Sequence, residues 1–215
     1  MSAPPPYSLV SLINTNSPVS GGGAAPVSPT FGAALWTLDY TLQLASRNVS
    51  RTYFHHGTVG NCQYCFFGRH SMGAPYFGAL AATALMAGGA HVAALDAGTS
   101  SYAAYAVFDA SGRPLRALLY NSDYFAGTGS RSSQPFVLTG LVMPAGVTSV
   151  RAKRLTAASA GARVDQGTSP SFGGQTFQDG TCVVQWSETF ELTEVVGGQA
   201  TFTLRATEAL LVYLQ

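Results

Sequence analysis

The sequence predicts an α+β protein, with strand, helix, strand and helix over residues 1–90 and an antiparallel β-sandwich over residues 91–215. Three observations carry that expectation. Apolar residues recur at helical intervals twice before Gly88 and Gly89, alternation with a period of two begins at His91, and the short runs after that point are separated by turn residues.

In chain order, Tyr7 to Asn14 reads as a short apolar strand and Asn16 to Pro29 as a loop containing Gly21, Gly22 and Gly23. Ser28 is placed to be an N-cap and Pro29 the first helical residue, where its missing N–H costs no hydrogen bond. Phe31, Leu35, Leu38, Leu42 and Ala45 then line one helical face. Asp39 falls within this helix and is expected on its solvent side. Arg51 to His56 reads as a second short strand, Pro75 starts a second helix, and Gly88-Gly89 ends it. That order is the signature of a parallel βαβ unit, and two such units cannot close a barrel.

Beyond His91 the turn Asp109 to Arg113 joins Ser101 to Phe108 with Leu115 to Ser122, and Gly197-Gly198 joins Val183 to Val196 with Ala200 to Ala206. About six to eight strands fit this spacing, as in an antiparallel sandwich. The sandwich is expected to enclose its own core. Arg151, Lys153 and Arg154, the one basic cluster, read as a solvated strand face.

Composition narrows the function. Only 10% of the residues are charged, against roughly 25% in an average soluble domain, and 11 Lys and Arg nearly cancel 10 Asp and Glu. No charge excess exists to follow a phosphate backbone, so nucleic acid is excluded as a partner. Apolar runs fall well short of the ~20 residues of a membrane-spanning helix, so no membrane partner is implied.

Three cysteines are too few for a disulfide-stapled scaffold. Cys62 and Cys65 have the spacing of a redox pair, but Phe66 and Phe67 follow where a helix should begin, which favours a local disulfide between them or two plain thiols. His55, His56, Cys62, Cys65 and His70 match no zinc-ligand spacing, and neither a metal nor any other cofactor is implied. Residues 1–6 lack the basic and apolar regions of a signal peptide, while Asn48-Val49-Ser50 is a glycosylation acceptor pattern and points weakly to a secreted chain.

Several segments together resemble a family. Phe31-Gly-Ala-Ala-Leu-Trp-Thr-Leu-Asp-Tyr40, Tyr53-Phe-His-His-Gly57 and Gly73-Ala-Pro-Tyr-Phe-Gly78 resemble the end of the catalytic barrel of fungal glycoside hydrolase family 79, the β-glucuronidase and heparanase-like family. Leu119-Tyr-Asn-Ser-Asp-Tyr124, Ala152-Lys-Arg-Leu-Thr156, Arg163-Val-Asp-Gln-Gly167, Gly173-Gly-Gln-Thr-Phe177 and Glu208-Ala-Leu-Leu-Val-Tyr213 resemble its C-terminal β-domain. The resemblance implies that residues 1–90 are two βα units of a (β/α)8 barrel and that residues 91–215 are the β-domain.

Family enzymes are retaining glycosidases that need a carboxylate nucleophile and a carboxyl acid/base about 5 Å apart. A whole barrel takes about 250 residues, so the resemblance leaves the acid/base strand unaccounted for. In Ile13-Asn14-Thr15-Asn16-Ser17 it places Asn14 at the nucleophile position, and a neutral amide is a poor attacking group. No catalytic residue is therefore expected. Sugar contacts are expected from Tyr64, His55 and the Gly21 rim, with a glucuronide-like carbohydrate as the ligand class.

The reading is a truncated or fragmentary relative of a β-glucuronidase, non-catalytic alone, with a structural, association or carbohydrate-binding role. Exposed barrel edges imply self-association or a partner chain through the barrel-derived segment. The alternative is the C-terminal portion of an active retaining β-glucuronidase whose remaining barrel comes from a longer or separate chain. A sugar-binding β-sandwich would instead use Trp186, Tyr102 or Tyr105 as stacking platforms.

Overall fold

The computed structural model describes residues 27–54, 56 and 65–214. The strand expected over Tyr7 to Asn14, the Gly21 loop, His55, Cys62 and Tyr64 lie outside these residues. Helices α1 (Phe31–Ser46) and α2 (Ala74–Met86) precede strands β1 (His91–Ala94), β2 (Tyr102–Phe108), β3 (Pro114–Asn121), β4 (Ser133–Leu138), β5 (Ser149–Thr156), β6 (Ser171–Phe172), β7 (Thr176–Phe177), β8 (Val184–Gln185), β9 (Glu191–Glu194), β10 (Ala200–Arg205) and β11 (Glu208–Tyr213). Strands outnumber the expectation because β6, β7 and β8 are two-residue pieces.

Helix α1 begins two residues later than expected. Thr30, not Ser28, is the N-cap: its hydroxyl accepts from Ala33 N at 3.4 Å and donates to the Val27 carbonyl at 2.7 Å. The start is fixed from outside the helix, since Phe31 N and Gly32 N donate to the carbonyls of Ala162 and Ala160, each at 2.8 Å. The loop after β5 thus satisfies N–H groups that a helix leaves orphaned. Helix α2 has a proline in its first turn as expected, and Gly88 at φ +68° lies just past its end. Gly78 lets the helices cross closely, because a Cβ there would lie 2.0 Å from the Ala34 carbonyl oxygen.

The second expected strand is not formed among residues 51–54 and 56, where Thr52 makes an isolated bridge. Phe54 instead packs among Phe66, Trp36 and Tyr40, with ring centroids 5.0, 6.1 and 6.1 Å away.

The main sheet is antiparallel in the order β1-β2-β3-β11-β5-β6, with β9 also paired to β5. The hairpin β2–β3 forms over the expected turn, where Asp109 accepts from the Ser111 and Arg113 amides. Gly197 and Gly198 make the expected turn, at φ +58° and +73°, but the strands it joins part company. Strand β9 pairs with β5, whereas β10 pairs with β4 in a separate two-stranded sheet.

This divergence makes three layers. Along β11, buried on both sides, Leu210 and Val212 pack with Phe202 and Leu204 of the small sheet, while Ala209 and Leu211 pack with Leu35, Leu38 and Phe77 of the helices. The expectation that the sandwich encloses its own core holds on one sheet face only. On the other face Tyr105, Val107, Leu118 and Tyr120 are covered by α1 and α2. The sequence changes from helix to strand at Gly88-Gly89, but the hydrophobic core runs across that point.

Candidate functional site

The N-termini of both helices open onto one groove of about 260 Å³, lined by Pro29, Cys65, Gly73, Val164, Asp165 and Asp179 among others. It is built by local necessity. Phe67 and Met72 form an antiparallel bridge, Gly68 N donates to Ser71 O at 2.8 Å, and Gly73 N donates to Phe66 O at 2.8 Å, which returns the chain to α2. A side chain at Gly73 would collide with the Cys65 carbonyl, 2.5 Å from where its Cβ would sit. His56 packs on the Phe67 ring with centroids 4.6 Å apart, and its Nδ1 lies 3.4 Å from Cys65 Sγ. Cys65 is disulfide-bonded, so its sulfur can only accept there and is unavailable as a thiolate metal ligand. Cys182 is a free thiol.

The groove carries two carboxylates with different surroundings. Arg163 holds Asp165 in a two-pronged pair, through Nε at 2.9 Å and Nη2 at 2.5 Å, and this holds its pKa below the ordinary carboxylate value. Such a group is a poor proton donor. Asp179 lines the same groove without a hydrogen bond to any described residue. Asn14, Gly21, His55 and Tyr64, the residues expected at a sugar site, lie outside the described residues, and so does Cys62.

A second, polar cavity of about 290 Å³ lies between α1 and the β1–β3 side of the sheet. Asp39 faces it rather than bulk solvent, accepting from Tyr105 Oη at 2.5 Å and from Gln43 Nε2 at 2.7 Å. Helical spacing alone gave no sign of this, because the partner is 66 residues distant. Burial foremost, then the Asp39 carboxylate, pushes the Tyr105 hydroxyl strongly up from its ordinary pKa. Of the three candidate stacking aromatics, Tyr105 is core, Tyr102 donates to Asp123 at 2.9 Å and packs on Phe136, and Trp186 is 75% exposed.

Of the basic cluster, only Arg151 is exposed as expected, lying over the Phe190 ring. Lys153 is buried against the Phe172 ring and pairs with Glu188 at 2.5 Å. Arg154 bridges Glu191 and Glu208. Glu208 is fully buried and accepts from Arg154 Nη1 at 2.6 Å, Arg205 Nη2 at 2.8 Å, Thr156 Oγ1 at 2.8 Å and Arg205 N at 3.0 Å, with Arg131 at 3.7 Å. Burial raises its pKa, but the arginines and hydrogen bonds outweigh burial and hold it below the usual value.

The described residues thus form a β-domain with the helix pair packed on one face of its main sheet and a small two-stranded sheet on the other. The model of the glycosyl hydrolase family 79 C-terminal beta domain matches residues 104–211, half of the chain, and the chain belongs to that family. It is 37% identical over 93 residues to a β-glucuronidase of Aspergillus niger, a match covering 40% of this chain and 17% of that enzyme. It is 54% identical to the crystal structure of a 4-O-α-L-rhamnosyl-β-D-glucuronidase from Fusarium oxysporum 12S in complex with Rha-GlcA, with a TM-score of 0.83 over 90% of this chain and 40% of that one. A family 51 arabinofuranosidase from Xanthomonas axonopodis pv. citri, 15% identical with a TM-score of 0.50 over 86% of this chain and 36% of that one, shares the fold. The chain thus spans well under half the length of the two glucuronidases it matches.

Proposed function

We propose that this chain is the C-terminal supporting portion of a glucuronide-acting family 79 hydrolase and hydrolyses no glycosidic bond by itself. The observation that carries the proposal is the use made of its acidic residues. Of the ten in the sequence, eight are bound within the fold: Asp39 to Tyr105, Asp96 to backbone amides, Asp109 to Arg113, Asp123 to Tyr102, Asp165 to Arg163, Glu188 to Lys153, Glu191 to Arg154 and Glu208 to its arginines. Only Asp179 and Glu194 make no such bond among the described residues. Retaining hydrolysis needs a carboxylate nucleophile and a carboxyl acid/base about 5 Å apart across the scissile bond, and no such pair is tied to a sugar cleft by these contacts.

The likeness to a rhamnosyl-glucuronidase over 40% of that enzyme supports the second reading, in which a barrel from a longer or separate polypeptide completes an active retaining enzyme. In both readings the partner or second copy meets the barrel-derived segment, where the half-buried Trp36, Phe54 and Tyr76 cluster around the buried Phe66. The whole protein is extracellular and its ligand is a glucuronide-like carbohydrate.

A chimera tests the supporting role. Residues 91–214 of this chain, replacing their counterpart in the Fusarium enzyme, should yield a folded protein that retains hydrolysis of the parent's substrate within about tenfold, because the β-domain contributes no reacting group. A folded chimera with activity lost by more than about a thousandfold, the scale of removing a catalytic group, would contradict the proposal.

A further inference from the structure

We propose that Asn48 carries an N-linked glycan. Among the five asparagines of the sequence, only Asn48-Val49-Ser50 satisfies the acceptor pattern Asn-X-Ser/Thr with X other than proline. The structure gives this triplet the accessibility the modification requires. Helix α1 ends with Asn48 N donating to Ala45 O at 3.1 Å and Val49 N to Leu44 O at 3.0 Å, which sets Asn48 at φ +62° just past the last turn. Asparagine tolerates this left-handed conformation better than other residues with a side chain. Asn48 and Ser50 are both exposed, and neither side chain hydrogen-bonds to any described residue. Among the described residues the acceptor amide has no partner.

The position also suits a bulky, hydrated group. Asn48 follows the C-terminus of a 16-residue helix, whereas the groove lined by Pro29 and Gly73 lies at the helix N-termini. At 1.5 Å per residue the two are about 24 Å apart along α1, so a glycan leaves the groove open. Beside Asn48 runs a shallow surface hollow of about 230 Å³ lined by Val49, Ser50, Met86, His91 and Val92, along which the first sugar can lie.

The donor is an oligosaccharide on a polyisoprenyl diphosphate, supplied in the secretory pathway. The Nδ2 of Asn48 forms a C–N bond to the anomeric carbon, the C–O bond to the diphosphate breaks, and the amide loses one proton as the lipid diphosphate leaves. The inference rests on the extracellular reading above.

The test uses the full chain secreted from a eukaryotic host, measured by intact mass and peptide mapping before and after peptide-N-glycosidase. The expected result is a mass loss of one whole glycan with Asn48 converted to Asp in its peptide. Asn48→Gln and Ser50→Ala should each abolish the shift, the second without touching the backbone at Asn48, and Ser50→Thr should retain it. Secreted, folded protein with unmodified Asn48 would overturn the site. A shift that survived both abolishing variants would overturn it as well. Native protein found only inside cells would overturn the extracellular reading, an outcome distinct from a bare Asn48 on secreted chain.

Discussion

Glu208→Gln should destabilise the fold by about 3 kcal/mol, because it removes the charge that three arginines share and leaves them facing one another at the end of β11. Breaking a buried ion pair costs about 3–5 kcal/mol, and the lower end applies here since Arg154 keeps Glu191 and Arg205 is half exposed. The melting temperature should fall by roughly 10 °C for a chain of this size. The same residue sets an acid limit. Its folded pKa lies below the unfolded reference of 4.5, so its contribution is complete above that pH and is lost as pH falls through the folded value. Denaturant midpoints measured from pH 7 to pH 3 should therefore drop on acidification in the parent and drop less in Glu208→Gln. Equal slopes would show that the network does not hold its charge in the folded state.

Gly78→Ala should also destabilise, although alanine is the better helix former by about 1 kcal/mol. The new Cβ would stand 2.0 Å from the Ala34 carbonyl oxygen and 2.8 Å from its carbon, and both belong to helix backbone that cannot swing aside. Separating α1 from α2 loosens Leu35, Leu38 and Phe77 on the sheet, an overpacking cost of about 1–3 kcal/mol or more that exceeds the propensity gain. A lower denaturant midpoint is expected, and a larger fall for Gly78→Val. A higher midpoint for Gly78→Ala would mean the close crossing is not needed.

Much of the fold was legible because it depends on local rules. The stripe Phe31, Leu35, Leu38, Leu42, the proline in the first turn of α2 and the Asp109 hairpin are all written in adjacent residues. What the sequence concealed depends on distant partners. The start of α1 is set by carbonyls of Ala160 and Ala162, Asp39 is bound by Tyr105, and two of the three arginines around Glu208, Arg131 and Arg154, come from distant segments of the chain. The turn at Gly197-Gly198 was readable, but the separation of β9 from β10 into different sheets was not, because turn chemistry fixes a reversal and not the neighbours of each strand. The one local sign of Glu208 is an acid at the start of a strand otherwise apolar on both faces.

The resemblance to family 79 made the site expectation, an amide at Asn14 in the nucleophile position, that the described residues do not reach. The groove at the helix N-termini has one carboxylate tied to Arg163 and one left over. One carboxyl group cannot both attack the anomeric carbon and protonate the leaving oxygen. The most direct measurement is release of the aryl alcohol from an aryl β-D-glucuronide by the purified chain. No turnover above a heat-inactivated control is expected, for the parent and equally for Asn14→Glu, whereas sustained turnover that co-purifies with the chain would show that the chain is catalytic by itself.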